Sequence, residues 1–172
     1  MNIFILDKVP ELAATYHCDK HVPKMIVETA QILSTAHHAL DEQQAREGIY
    51  KIAHLNHPCS IWARESYENY SWLHRLGEGL IDEYKLRYGH HKVHKTEPIM
   101  DLLKDPPRQS QHLGLTPFVQ AMPDEYKCED AVTAYRTYYM SDKAPICDWK
   151  LNTPKWWKET KYESKKVHAA GA

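Results

Sequence analysis

The sequence lacks an excess of charge of either sign, a long apolar run and an obvious export signal. Its 22 lysines and arginines are matched by 23 aspartates and glutamates, so a nucleic-acid partner would have to be held by local basic patches. No apolar run approaches the roughly 20 residues that span a membrane, and the N-terminus lacks the basic start and apolar stretch of a signal peptide. These absences predict a cytoplasmic protein without a membrane partner.

Cysteine pairs and glycine-rich loops are also missing. The four cysteines are scattered, with no CxxC pair, which predicts reduced thiols and argues against a disulfide framework or a zinc knuckle. No glycine-rich loop precedes a helix and no GxSxG elbow occurs, which excludes a Rossmann site, a P-loop and a serine-hydrolase elbow. The length suits one domain over residues 1–172, with 148–172 as an aromatic and basic C-terminal segment.

The apolar periodicity predicts a mainly α fold. We expect a compact single domain with three principal helices and long irregular connections. The apolar run over residues 2–6 is too short for a helix, so it is either a brief strand or an extended arm laid against the core. The three helices are expected from Pro10 or Glu11 to about Leu40 with a kink near Asp19 caused by Pro23, from Cys59 to Tyr88, and from Glu125 to Met140.

The first of these helices carries two stripes at helical spacing. One is apolar and faces a core; the other is polar and mixes a carboxylate, an ammonium, an amide and imidazoles without a salt-bridge pattern. The polar stripe is either a solvated face with incidental histidines or the lining of an active cleft. It comprises His17, His21, Lys24, Glu28, Gln31, Thr35 and His38.

A metal site is one possible use of this stripe. His17 and His21 lie one turn apart, a spacing that suits two imidazoles on one ion. Asp19, His57 or a histidine of the 90–94 loop would have to complete the ligand shell. We expect no cofactor and no metal, and a divalent metal held by His17 and His21 is the alternative. Cys18, beside the two histidines, could be an activated thiol.

A nucleic acid is the second possible ligand. Tryptophans alternate with lysines in the C-terminal segment, and such a pattern can stack bases while ammonium groups hold phosphates. The alternative is that the tryptophans fill the core and the lysines keep the terminus soluble. The candidate nucleic-acid contacts are Lys20, His57, Arg64, His91, Lys92, Lys155, Trp156, Trp157 and Lys158.

Several short stretches, taken in order, resemble the phage pyrimidine-dimer DNA glycosylases of the endonuclease V family. The matching stretches are Glu11 to Ala13, His17, the basic-x-x-Pro-basic run Lys20 to Lys24, the Asn56-His57 helix entry and the run Pro154 to Lys158. The chain also resembles viral proteins that share YHCDKHV and LTPFxQAMPDEY. The first resemblance implies a compact helical fold with an N-terminal arm entering the core.

The resemblance also implies a mechanism. In that family the N-terminal α-amine attacks the sugar C1′ and forms a Schiff base, assisted by a carboxylate of the first helix. This sequence departs at two points: Asn2 is too bulky to favour removal of Met1, and His21 stands where the family motif has its carboxylate, so Asp19 or Glu28 would have to replace it. The implied catalytic residues are Met1, Asn2, His17, Asp19, His21, Lys24 and Glu28.

The leading hypothesis from the sequence is therefore an enzyme of DNA repair. It would be a DNA glycosylase, with AP-lyase activity as a possible second step, that acts on DNA containing a damaged or modified pyrimidine. One alternative is a metal-dependent nucleotide hydrolase using His17 and His21. Another is a non-catalytic viral protein, located in the host cytoplasm, that binds a nucleotide or a protein. The sequence does not fix the oligomeric state.

Overall fold

The fold of the chain is mainly α, as the periodicity predicts. The computed structural model describes residues 1–41 and 47–157, and within these ranges it contains helices and no strand. The three longest helices, α2, α4 and α6, correspond to the three predicted ones. The helices are α1 (Pro10–Tyr16), α2 (His21–Leu40), α3 (Pro58–Glu65), α4 (Tyr67–Tyr88), α5 (Glu97–Leu102) and α6 (Ala131–Ser141), with 3₁₀ turns at Asp124–Tyr126 and Ala144–Ile146.

The first predicted helix is two helices, and the predicted kink at Asp19 is wrong. The chain leaves α1 at His17, whose backbone is extended, and α2 begins at His21. Pro23 lies in the first turn of α2, where its missing N–H would have had no partner within the helix. Proline therefore helps to start α2 and does not bend a continuous helix.

The second predicted helix is also interrupted. Ser66 has extended backbone angles (φ −144°, ψ 160°) and ends α3, while its side chain accepts a hydrogen bond from the Asn69 N–H and caps α4. The third helix starts later than predicted, because Asp130 caps it by accepting from the Thr133 N–H and Glu125 lies in a separate 3₁₀ turn. The predicted end of α4 at Gly89, which has a positive φ of 126°, is confirmed.

Helix α4 is the centre of the packing and contacts both α1 and α2. Its glycines permit this close approach. A Cβ at Gly79 would lie 2.8 Å from the Ala14 Cβ of α1, and one at Gly77 would lie 2.9 Å from Thr29 Cγ2 of α2. The predicted apolar arc of α2 is buried as well, apart from the half-buried Leu40 at its end.

The N-terminal residues form an extended arm through the core, which decides between the two possibilities that the sequence left open. Ile3, Phe4, Ile5 and Leu6 are each at most 5% exposed. The arm is held by the side chain of Arg136 on α6, whose Nε donates to the Leu6 carbonyl at 2.9 Å. This path carries the start of the chain to the middle of α2. Among the described residues, no helix has both the length and the apolar character that crossing a bilayer requires.

Candidate functional site

The start of the chain lies against one carboxylate of α2. The Met1 amine is 3.7 Å from Glu28 Oε2, and the Asn2 N–H donates to the same oxygen at 2.8 Å. Glu28 is two turns into α2, so the helix backbone fixes its position, and its side chain is 13% exposed. Lys24, one turn earlier, is largely exposed and its Nζ lies 3.5 Å from the other oxygen, Glu28 Oε1. The carboxylate is thus placed between a primary amine and an ammonium.

The Asn2 side chain fixes the arm where it meets Glu28. Its Nδ2 donates to the Ala121 carbonyl at 2.9 Å. Its Oδ1 accepts from the Ile3 N–H at 2.7 Å and from the Tyr135 hydroxyl at 3.3 Å. These contacts tie the arm to α6 and to the segment before it. They restrict the first peptide unit to one orientation, with its N–H towards Glu28.

Helix α3 supplies the other wall of this centre. The Ser60 hydroxyl donates to the Met1 sulfur at 3.6 Å, and the Cys59 thiol donates to Asn2 Oδ1 at 3.7 Å. Burial raises the pKa of Cys59 to about 12, so this sulfur remains a neutral thiol. His57, at the start of α3, has a lowered pKa because of its burial and because the N-terminal ammonium and His54 are nearby. The wall therefore adds no positive charge at neutral pH.

His17 and His21 lie in the core, away from the Met1–Glu28 centre. His17 is fully buried, its Nδ1 is 2.7 Å from the Ala13 carbonyl, and burial lowers its pKa to about 3. The His21 Nδ1 is 2.5 Å from the Tyr139 hydroxyl, and the ring stacks on Phe4 at 4.7 Å. Both rings thus have structural contacts in the hydrophobic core.

Asp19 also has structural partners. Its Oδ1 accepts from the guanidinium of Arg87 at 3.1 Å, and its Oδ2 accepts from the Lys150 N–H at 2.8 Å. Arg87 is itself buried, and it also donates to the backbone carbonyls of Thr15 and His17. Of the two acidic residues that the sequence offers as a replacement for the motif carboxylate, the one beside the N-terminus is Glu28.

The far half of the predicted polar stripe is covered by the segment that follows α2. The Thr35 hydroxyl donates to the Ala53 carbonyl and accepts from its N–H, both at 3.1 Å, while His38 Nε2 is 2.9 Å from the Tyr50 carbonyl. The stripe is therefore not one continuous cleft lining. Of the residues in this stripe, Glu28 lies beside the N-terminal amine and Lys24 lies beside Glu28.

The candidate nucleic-acid contacts fall into three groups. Lys20, His91, Lys92 and Lys155 are exposed, and the loop carrying His91 and Lys92 lies near the start of α2, since the His94 ring interacts with the Pro23 backbone. His57 and Arg64 are half-buried; His57 caps α3, and Arg64 donates to the Leu55 carbonyl at 2.7 Å. The third group lies in the C-terminal segment and comprises the buried Trp157, the half-buried Trp156 and Lys158, which is outside the described residues.

The tryptophans of the C-terminal segment pack on the protein. Trp157 is 6% exposed, with its ring 4.8 Å from that of Trp149. Trp156 meets the edge of Tyr16 at 6.2 Å, and the Arg136 guanidinium lies 5.4 Å from the Trp156 ring centroid. This segment thus completes the core over α1, as the alternative interpretation of the tryptophans predicted.

In the described part of the chain, no group of three or more His, Cys, Asp or Glu side chains is placed to hold a metal ion. Sequence reasoning did not find Tyr135, Ser60 or Ala121, which enclose the N-terminus. Their contacts with Met1 and Asn2 span 59 to 133 positions along the chain. No local pattern signals such pairs.

The described residues thus form a helical core in which an extended arm places the N-terminal amine beside a helix carboxylate. The model of the family described as pyrimidine dimer DNA glycosylase matches residues 1–96, more than half of the chain. The protein belongs to this family, which confirms the resemblance seen in the sequence and supports DNA glycosylase as its class of function. No curated protein and no solved structure gives a significant match.

Proposed function

We propose that the protein removes a damaged pyrimidine from DNA by attack of its N-terminal amine, and then cleaves the strand as an AP lyase. The observation that carries this proposal is the 3.7 Å separation between the Met1 amine and Glu28 Oε2, at the end of an arm that is fixed on both sides. Membership of the family adds the class of substrate, DNA with damaged pyrimidines.

The proposed chemistry begins with loss of a proton from the Met1 ammonium, which Glu28 is placed to accept. The neutral nitrogen attacks C1′, the bond from C1′ to the base breaks, and the base leaves with a proton. Opening of the sugar, with a proton delivered to its ring oxygen, gives the imine. Loss of a C2′ proton then expels the 3′ phosphate by β-elimination. An α-amine suits the first step, because its ordinary pKa of about 8 is well below that of a lysine.

Glu28 replaces the carboxylate that the family motif has at the position of His21. The two side chains are seven residues apart on α2, and only Glu28 contacts the N-terminus. Glu28 can take this role because the path of the arm places the amine beside the turn of α2 that carries Glu28, and not beside the turn that carries His21. We assign Glu28 as the general base of the imine-forming step.

Phosphate binding is assigned to the exposed cations around the first turn of α2. Lys20 and Lys24 lie at this turn, and the His90–Lys95 loop lies near it, since His94 interacts with the Pro23 backbone. A net charge of −1 for the whole chain makes such a local patch necessary for binding DNA. No base-stacking role is assigned to Trp157, because the ring is buried.

Borohydride trapping on DNA with an abasic site tests the proposal. We expect a covalent complex whose cross-linked tryptic peptide is residues 1–8, which contains Met1 and Asn2. Attachment to Lys20 or Lys24 would keep the class of reaction but move the nucleophile. Absence of any trapped complex under conditions where the protein is folded and binds the DNA would overturn the Schiff-base proposal, and loss of a nucleotide-hydrolysing activity on chelation would favour the metal-dependent alternative.

A further inference from the structure

Two cysteines far apart in sequence meet beneath the C-terminal segment. Cys18 is in the turn between α1 and α2, is fully buried, and accepts the backbone N–H of His21 through its carbonyl at 2.9 Å. Cys147 follows the second 3₁₀ turn and is half-buried. Both are free thiols, and their side chains are close enough to shift each other's pKa.

The backbone holds the two cysteines side by side. The Asp19 N–H donates to the Asp148 carbonyl at 2.8 Å, so the residues directly after each cysteine are bonded to each other. The Lys150 N–H donates to Asp19 Oδ2 at 2.8 Å, and the Trp149 indole donates to the Tyr16 carbonyl at 3.1 Å. Three hydrogen bonds therefore fix residues 147–150 against residues 16–19.

We propose that Cys18 and Cys147 form a redox-active dithiol, which a peroxide converts to a disulfide that joins the residue just before the C-terminal segment to the turn between α1 and α2. The proposed DNA repair activity does not require this site, and the inference does not depend on that activity. Cys59 and Cys128 are not part of it, since one is buried beside the N-terminus and the other is exposed on a separate loop.

The electrostatics of the pair suit this reaction. Interaction with Cys147 and His21 lowers the pKa of Cys18 against the effect of burial, whereas the pKa of Cys147 is raised by its interaction with Cys18 and by burial. Cys18 is thus the more acidic thiol of the pair. A thiolate is the species that attacks a peroxide.

The reaction balances with one peroxide for each pair. The Cys18 thiolate attacks the peroxide, so that an S–O bond forms on Cys18 as the O–O bond breaks, and the departing hydroxide takes the Cys147 proton to give water. The Cys147 thiolate then attacks the sulfenic sulfur of Cys18, the S–O bond breaks, and the second hydroxide takes a proton from solvent to give water. Two thiols are oxidised to a disulfide, and the peroxide is reduced to two molecules of water.

Peptide mapping of the full-length protein tests the inference. The reduced protein is treated with hydrogen peroxide, its remaining thiols are alkylated under denaturing conditions, and it is digested with trypsin without reductant. Trypsin places the four cysteines on four separate peptides, with Cys18 in residues 9–20 and Cys147 in residues 144–150. We expect these two peptides to be joined, lighter by two hydrogen atoms than their sum, and to separate when a reductant is added.

Two variants sharpen the test. Cys128→Ser should leave the linked peptide at the parental yield, whereas Cys147→Ser should abolish it, because Cys18 then has no partner thiol. Melting of reduced Cys147→Ser within a few degrees of the parent would show that the variant is folded. If the parent keeps Cys18 and Cys147 unlinked under conditions in which the exposed Cys128 is oxidised, or forms only links through Cys128, the inference is wrong.

Discussion

The carboxylate of Glu28 has two roles that one substitution can distinguish: it holds the arm in place, and it is proposed to accept a proton from the Met1 amine. The carboxylate accepts the Asn2 N–H at 2.8 Å and lies 3.7 Å from the Met1 amine. In Glu28→Gln the amide oxygen can still accept the Asn2 N–H, but the neutral amide cannot take the proton of the amine. We expect cleavage of abasic-site DNA to fall by about 100-fold or more, and the free energy of unfolding by only about 1 kcal/mol.

Lys24→Gln is the matched control, since it removes the other cation near Glu28 and keeps the carboxylate. The ion pair of Lys24 with Glu28 is exposed on the lysine side, so its loss should change stability by about 0.5 kcal/mol or less. DNA binding should become less dependent on salt, with trapping still possible at saturating DNA. Full activity of Glu28→Gln in a single-turnover assay would show that the carboxylate only holds the arm in place and is not the general base.

His17 gives a prediction about pH and stability. Burial lowers its pKa to about 3 in the folded protein, while the unfolded chain has the ordinary value near 6.5. Between these two values the unfolded state binds a proton that the folded state does not. The stabilising effect of the neutral ring is therefore complete above pH ~6.5 and decreases as the pH falls, by about 1.4 kcal/mol for each pH unit.

The measurement is urea denaturation at pH 7 and pH 5 for the parent, His17→Gln and His90→Gln. The neutral glutamine should flatten the pH dependence, while replacing the exposed His90 should leave it as in the parent. An equally steep decrease in the His17→Gln protein would assign the acid sensitivity to other groups.

The periodicity of α2 predicted Glu28 and Lys24 as a pair on one face, because helical spacing alone places them one turn apart. It could not predict that His17 and His21 on the same stripe are buried. That depends on Phe4 and Tyr139, which come from the arm and from α6. Helical spacing in a sequence predicts which side chains share one face of a helix. Which of these side chains are buried depends on contacts with residues distant in the chain.

At the scale of elements, the breaks between helices were harder to predict than the helices. Ser66 and Asp130 each cap a new helix with a side-chain oxygen, but serine and aspartate also occur on the polar faces of uninterrupted helices. The position of Pro23 inside a continuous helical pattern predicted a kink, whereas Pro23 is in an opening turn. The glycines of α4 are easier to interpret, because two residues without a Cβ allow α1 and α2 to pack closely on α4.

The C-terminal segment gives a prediction that separates packing from binding. Trp157 is buried against Trp149, so Trp157→Ala should reduce the free energy of unfolding by about 3–5 kcal/mol. Lys155 is exposed, and Lys155→Ala should change stability by less than about 0.5 kcal/mol. If Lys155 contacts a phosphate, its loss should reduce the salt slope of DNA binding by about one.

The measurements are denaturant melts for both variants and DNA titrations at several salt concentrations for Lys155→Ala. Lys104→Ala, which replaces an exposed lysine after α5, serves as the control of equal charge. A salt slope for Lys155→Ala equal to that of Lys104→Ala and the parent would leave Lys155 as a solubilising residue. A stable Trp157→Ala protein would contradict the burial of that ring.

At the scale of the whole molecule, the fold buries the N-terminal arm in the core and places the Met1 amine beside α2. The arm crosses beneath α6 and ends at α2, so its exact position depends on α2, α3 and α6 at once. Short-range patterns in the sequence predicted the mainly α class, and they left open whether residues 2–6 form a strand or an extended arm. The enclosure of Met1 depends on how three helices pack together. The residue spacing within a single helix does not predict this packing.

An N-terminal extension tests this arrangement and the proposed nucleophile together. Adding one glycine before Met1 converts its amine to an amide and moves the new amine by up to about 3.5 Å along the chain, away from the nitrogen that lies near Glu28. We expect borohydride trapping on abasic-site DNA to slow by at least about 100-fold. The melting temperature should change by only a few degrees, because Ile3 to Leu6 and the contacts of Asn2 are retained. The same glycine added after Ala172 should leave trapping at the parental rate. Parental trapping by the N-terminally extended protein, with the cross-link on a lysine peptide, would show that the arm is purely structural.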